Sequence, residues 1–372
     1  MSDQESEIPQ NAPRPVILRV PLERDGEKLL NFLLDALPDC SKRRIRNAVG
    51  QGRVMVNGKR VTTGCALVQD DRIEVPPDLC ARRRSNAPPL ELEIIYEDER
   101  LMVINKPAGI SVFPERDGSG GELMRELLLH LNPGLTDRDA EAAGSSERIT
   151  RPHPVHRLDK GTSGALVIAK DADAGRHLAS QFERRKVSKK YLCLCEGPWL
   201  SDDCACDQPV GKKQGSAIQM EVDRRNGKPA ETRFRVIERF RDFALVEAEP
   251  KTGRQHQIRV HLAAMGSPLA VDFLYGRREA LYLSEFKKGY RGGEEGEERP
   301  ILARLSLHAK RISFRHPGPV RRDSSSPDGE QPVPPGGTML EFEAPLPKDF
   351  QVALKQLRKY GLPGRSGRTD RN

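Results

Sequence analysis

A short basic–acidic turn runs straight into an apolar stretch: His156-Arg-Leu-Asp159-Lys-Gly161-Thr-Ser-Gly164, then Ala165-Leu-Val-Ile-Ala169. No other feature constrains the fold so strongly. Five apolar residues in a row, bounded by glycine, read as a buried strand. The turn before them is therefore anchored to a rigid core element, and such loops are where reactive side chains are placed. Two readings compete for this turn. In one, Arg157 and Asp159 form a structural ion pair while Thr162 and Ser163 cap the turn. In the other, Asp159 is a reactive carboxylate presented beside the strand.

The chain of 372 residues is long enough for about two domains with insertions. Its 29 Pro and 32 Gly point to long polar loops. The 62 Lys+Arg against 54 Asp+Glu give a net charge of +8, which permits a polyanionic partner without demanding one. Seven cysteines, an odd number, scattered through a long chain fit free thiols in a reduced compartment. The acidic start, Met1-Ser-Asp-Gln-Glu-Ser-Glu, is unlike a signal or transit peptide, and no apolar run approaches membrane-spanning length. A soluble intracellular protein is expected, without a membrane partner.

Residues 1–15 are polar and read as disordered. Leu29, Leu30, Leu33, Leu34 and Leu37 then recur at helical spacing, with Pro38 as a stop. Ser41 is placed to cap a second helix that carries Lys42, Arg43, Arg44 and Arg46. Asn57-Gly58 marks a hairpin, and Arg72–Val75 a closing strand. A charge run on a helix is commonly just a solvated face. Here it precedes a basic hairpin, which fits a phosphate-binding footprint. Residues 16–76 thus read as a small domain, and 77–89, with Arg82-Arg83-Arg84 and several prolines, as a basic linker.

A larger domain spans 90–350. Leu92–Tyr96 and Leu101–Asn105 read as strands, broken by Lys106-Pro107-Ala108-Gly109. Gly118–Gly121 lacks the Lys-Ser/Thr of a nucleotide-binding loop and reads as a helix start. Asp171–Arg185 reads as a helix with Ala174, Leu178 and Phe182 on one face. Tyr191–Cys195 reads as a strand placing Tyr191, Cys193 and Cys195 together. Lys251–Leu262 reads as a turn followed by a strand or short helix. Polar stretches near 132–150, 287–300 and 317–337 read as insertions, and 351–372 as a basic C-terminal tail. No metal is expected: the histidines make a poor ligand set, and Cys193/Cys195 with Cys204/Cys206 lack zinc-knuckle spacing.

The stretch HRLDKGTSG resembles the HRLDxxTSG signature of the RluA-type pseudouridine synthases. Four further segments are similar to motifs of that family: IIYEDERLMVINKPAGISVFP, the run ending in Tyr191, GRQHQIRVH with the following GSPLAVDFLYG, and Leu305-Ser-Leu-His308-Ala309. One departure is Ala270-Val271, where the family more often has a Gly before the Asp. Residues 16–76 resemble an S4 RNA-binding domain. The resemblance implies an α+β catalytic domain around a mixed, largely antiparallel sheet. It makes Asp159 the catalytic residue, Arg259 its paired arginine, Tyr191 the ring that packs on the target base and Arg157 the side chain that fills the flipped base's place. His156, Arg254 and His256 are expected on the RNA side, with Lys42, Arg43, Arg44 and Arg46 in the S4 domain.

The implied reaction breaks the N1–C1′ bond of uridine, turns the base and rejoins it through C5. It adds no atoms and needs no redox change, so no cofactor is expected. A bidentate Arg259–Asp159 pair would supply the charge that keeps a carboxylate ionised in a dry pocket. The expected partner is RNA, ribosomal RNA favoured over transfer RNA, handled by a monomer in the cytoplasm, with an organelle or nucleus as alternatives. The alternative function is a non-catalytic, ribosome-associated RNA-binding protein, whose mark would be loss of Asp159 or Arg259; both are present.

Overall fold

The computed structural model describes residues 15–37, 40, 42–80, 90–113, 121–135, 149–197, 201–216, 218–287, 289–290, 298–319 and 335–361. The described residues fall into two compact units, 15–80 and 90–361.

In the first unit, β1 (Val16–Arg19) precedes α1 (Leu29–Ala36) and α2 (Lys42–Gly50). Then follow β2 (Met55–Val56), β3 (Lys59–Arg60), β4 (Arg72–Val75) and the one-turn helix α3 (Pro77–Cys80). The strands order as β1-β4-β2-β3. The leucine spacing sets one face of α1 inward, so Leu29 and Leu33 join Ile45, Val54, Leu67 and Ile73 in one closed cluster. The Asn-Gly turn forms as its chemistry requires: Asn57 and Gly58 take φ of 51° and 72°. Asn57 also ties the turn to β4, accepting from Arg72 N at 2.9 Å.

The second unit runs β5 (Ile94–Glu97), β6 (Leu101–Lys106), α4 (Glu122–Leu131), β7 (His153–Pro154), β8 (Ser163–Ala169), α5 (Ala172–Glu183), β9 (Ser188–Glu196) and β10 (Asp203–Cys206). It continues with β11 (Val210–Lys212), β12 (Met220–Val222), β13 (Thr232–Arg239), β14 (Phe243–Pro250), α6 (Gln257–Ala264), β15 (Leu307–Arg315), β16 (Met339–Glu343) and α7 (Lys348–Tyr360). The main sheet orders as β10-β13-β14-β9-β15-β8-β6-β5, with β16 added to β15 and β7 to β8. Its pairings are antiparallel except β8 with β15. The sheet is the mixed, largely antiparallel one that the resemblance implies.

Strand β8 is buried at every position, between β6 and β15. Its contact with β15 is so close that a Cβ on Gly164 (φ +118°) would lie 2.3 Å from Ala309 O. Only glycine fits there. A directional chain locks the same crossing: Arg304 Nη1 donates to Ser163 Oγ (3.2 Å), and Ser163 Oγ meets His308 Nδ1 (2.9 Å). His308 Nε2 then reaches Ala344 O at 3.2 Å. Helix α5 is capped by Asp171, whose carboxylate accepts from Asp173 N and Ala174 N.

Two sequence boundaries are corrected. The basic tail does not begin at 351: α7 covers 348–360 and buries Phe350, Ala353, Leu354 and Leu357 against Leu192 and Leu245. Its lysines and arginine lie on the outer face, so the second unit extends to 361. The linker also starts later than 77, because Leu79 of α3 belongs to the first unit's core. Residues 1–14, 81–89 and much of the three insertions lie outside the described residues, as do Pro38 and Ser41. Ala270 and Val271, the departure from the family pattern, are fully buried beside Leu194 and Phe350. Among the described residues no helix is long and apolar enough to cross a membrane.

Candidate active site

Asp159 stands in the loop between β7 and β8 and faces a cleft of about 600 Å³. The cleft walls include residues 155–159 and Thr162, Lys189 and Tyr191 of β9, and 250–259 leading into α6. The loop is pinned from within. Thr162 N donates to Asp159 O (2.9 Å), and Gly109 N to Lys160 O (2.7 Å). Beneath it lies Lys106, fully buried, whose Nζ donates to Pro107 O and Ile110 O at 2.7 Å and reaches Lys160 O at 3.4 Å. Burial pushes the Lys106 amine down to about 7, partly opposed by the charge of Asp159. The sequence marked Lys106 only as the end of a strand.

Arg259 is held in α6 with its side chain 7% exposed. Its Nη1 donates to Asp159 Oδ2 at 3.2 Å. The expected bidentate pair with Asp159 is not what forms. The fork goes to Asp272, Nε to Oδ2 and Nη2 to Oδ1, both at 2.7 Å. Asp272, whose side chain is wholly enclosed, also accepts Leu274 N and Tyr275 N on Oδ1. Asp272 thus fixes the guanidinium plane, and the remaining nitrogen is left for Asp159. Burial disfavours the Arg259 charge, but the hydrogen bonds and charge of Asp272, with that of Asp159, more than reverse this and raise its pKa. The Tyr275 ring lies 5.0 Å from the guanidinium carbon, adding a cation–π contact.

Tyr275 closes the circuit. Its hydroxyl accepts Met220 N (2.8 Å) and meets His256 Nδ1 (2.9 Å). His256 occupies the left-handed position before α6 (φ +55°), which aims Nε2 at Asp159 Oδ1 from 3.9 Å. Burial lowers its pKa, with Asp159 opposing. Asp272 and Tyr275 were visible in the sequence as parts of a motif, but not as the supports of Arg259 and His256.

Tyr191 is half-buried on the cleft wall, and burial together with the Asp159 charge holds its phenol well above the usual range. Arg157 is exposed at the cleft edge; Arg254 lines the cleft and donates from Nε to Pro229 O at 3.1 Å. His156, expected on the RNA side, lines the cleft and is also tied into the strand behind it. Its Nε2 accepts Val167 N at 3.0 Å, and its ring stacks on Phe182 at 4.6 Å. Burial, reinforced by the charge of Lys189, pushes it down to about 3, so it is a neutral brace for β8. Arg44 and Arg46 lie on α2 in the other unit, half-buried and exposed respectively; the side chains of Lys42 and Arg43 lie outside the described residues.

Cys193, Cys195 and Cys206 pack with Phe234, Val246 and Leu262 in an apolar cluster. Burial raises their thiol pKa values. Among the described residues no group of three or more His, Cys, Asp or Glu is placed to hold a metal ion.

The chain that builds this cleft is similar to known proteins over most of its length. The family model described as RNA pseudouridylate synthase covers residues 100–264, and that of the S4 domain covers 27–73. The chain is 34% identical to an uncharacterized RNA pseudouridine synthase of Bacillus subtilis, over 91% of this chain and 97% of that one. The chain belongs to the RNA pseudouridine synthases, with an S4 domain ahead of the catalytic unit. It is also similar to ribosomal large subunit pseudouridine synthase C of Vibrio cholerae, 35% identical over 90% of this chain and 94% of the relative. For ribosomal large subunit pseudouridine synthase D of Neisseria meningitidis the identity is 32%, over 92% and 81%.

Proposed function

We propose that the chain converts specific uridines of ribosomal RNA to pseudouridine in the cytoplasm, with Asp159 as the catalytic residue. The observation that carries this is the Asp159–Arg259 contact, 3.2 Å inside the cleft, with Arg259 locked by Asp272. The similarity to ribosomal large subunit pseudouridine synthases favours ribosomal RNA; transfer RNA is the second candidate. The chemistry asked of the site is modest. Asp159 acts at the ribose, as nucleophile at C1′ or base at C2′, while N1–C1′ breaks. The base turns, C5 bonds to C1′, the C5 proton leaves to solvent and N1 gains one.

Arg259 stabilises the charge of Asp159 and orients it, a task for fixed geometry more than for proton transfer. Tyr191, which keeps its hydroxyl proton, offers a stacking face for the turned base and a proton donor late in the reaction. Arg157, exposed at the cleft edge, occupies the stack that the flipped uridine leaves. Arg254 and His256 face the same nucleotide, and Arg44 and Arg46 add phosphate contacts in the S4 unit.

The test is tritium release from C5-labelled uridine in total RNA from cells lacking the protein. Wild type is expected to release tritium and Asp159→Ala none. Binding without release by the wild type would replace this reading with the non-catalytic one.

A further inference from the structure

Six cations line the cleft, and they are not equivalent. Arg157 and Arg185 are exposed at its edge. Of those at least half-buried, Arg259 is committed to Asp272 and Asp159, Arg254 to Pro229 O, and Lys251 to Glu249. Lys189 has neither an ion-pair partner nor a hydrogen-bond acceptor among the described residues. Withdrawing a cation from water without a counter-charge costs free energy. Such a position makes physical sense where an anion arrives with the ligand.

The placement says which anion. Lys189 and Tyr191 share one face of β9, about 7 Å apart along the strand, and both line the cleft. A ring for the base and a cation one step further along match a nucleotide laid out as base, ribose and phosphate. We propose that Lys189 binds the backbone phosphate of the target nucleotide, completing its own charge balance only when RNA is seated. This deepens the proposed function and rests on it.

Besides Tyr191 on its own strand, the titratable groups that line the cleft with Lys189 come from three elements. The loop before β8 brings His156, Arg157 and Asp159; the end of α5 brings Glu183 and Arg185. The approach to α6 brings Lys251, Arg254 and His256. Of these only Asp159 and Glu183 are acidic, and neither pairs with Lys189. Burial pushes the Lys189 ammonium down to about 8, so its charge is lost within an accessible pH range.

The experiment is steady-state tritium release from C5-labelled ribosomal RNA of cells lacking the protein, at pH 7 and pH 9, with the full chain. Lys189→Met is expected to raise KM about tenfold at pH 7, with kcat within about twofold. The slope of log KM against log salt should fall by about 1. Wild-type KM should climb toward that of Lys189→Met by pH 9, while Lys189→Arg, which cannot lose its charge, holds the pH 7 value. A merely structural lysine would not give this rescue. Lys189→Met with wild-type KM at pH 7, or Lys189→Arg weakening with pH as wild type does, would overturn the inference and leave the isomerase reading intact. A wild type that releases no tritium overturns both.

Discussion

Replacing Asp272 by Asn tests whether this buried carboxylate, which never faces the cleft, governs the catalytic pair. Asp272 accepts four hydrogen bonds: Arg259 Nη2, Leu274 N and Tyr275 N on Oδ1, and Arg259 Nε on Oδ2. In Asp272→Asn the amide oxygen keeps the three on Oδ1, and the NH2 group is set against Arg259 Nε–H. One charge-assisted bond becomes a donor–donor contact, and a buried guanidinium loses its nearest counter-charge. Breaking a buried pair costs about 3–5 kcal/mol, and the three retained bonds place this variant near about 3. At about 2–4 °C per kcal/mol for a large unit, the melting transition of the catalytic unit should fall by about 6–12 °C. Activity should fall further than stability suggests. With the fork released on one side, Nη1 no longer holds its place against Asp159, and a misplacement of about 1 Å costs about 100-fold in rate. Thermal unfolding of the intact chain, with kcat by tritium release well below the transition, measures both. A melting temperature within about 2 °C of wild type together with an unchanged kcat would show that Asp272 does not set Arg259.

Two further outcomes are expected. The folded-state value of Lys106, about 7, lies below its ordinary 10.5, so between these values the unfolded chain binds more protons and stability rises with pH. The burial penalty is fully present below about pH 7. Urea midpoints from pH 7 to pH 10 should therefore rise more steeply for wild type than for Lys106→Met, whose remaining rise comes from Lys189; parallel rises would assign the effect to another group. Gly164→Ala should destabilise the catalytic unit by about 3 kcal/mol or more, because its Cβ would sit 2.3 Å from Ala309 O at a φ that side chains avoid. A urea midpoint equal to wild type would show that the two strands part without penalty.

What the sequence could disclose depended on the kind of interaction. The loop around Asp159, the strand after it and the Asn57-Gly58 turn were legible because each is local: a turn type, an apolar run, a residue that accepts positive φ. Which carboxylate takes the fork of Arg259 was not. Asp159 and Asp272 lie 100 and 13 positions away, and only the folded chain decides which meets the guanidinium edge-on. Strand or helix stayed open for Gln257–Leu262 because all six residues are buried, which erases any period. Strand β1 offers only three apolar residues in a row, Val16, Ile17 and Leu18, too short a run to show a period. In α7 the signal was present, as Phe350, Ala353, Leu354 and Leu357 at helical spacing, but lay under a surface of lysines and arginines. Lys106 shows the limit most clearly, since no rule of composition predicts a fully buried lysine held by carbonyls.

The crossing of β8 with β15 also sets a schedule. β6 is made before β8 and is ready to receive it. The second neighbour arrives much later, Ser163 and His308 being 145 positions apart. On a ribosome synthesising this chain, the Ser163–Gly164 end of β8, next to the loop that holds Asp159, stays an unpaired edge while about 145 further residues are made, the kind of edge that invites wrong partners. The long-range contact that closes it forms after the segment bearing Arg259 and Asp272 has already emerged. Assembly of the cleft is thereby deferred to the final stage of synthesis, and a nascent chain halted short of Ala309 holds its carboxylate on an unfinished sheet.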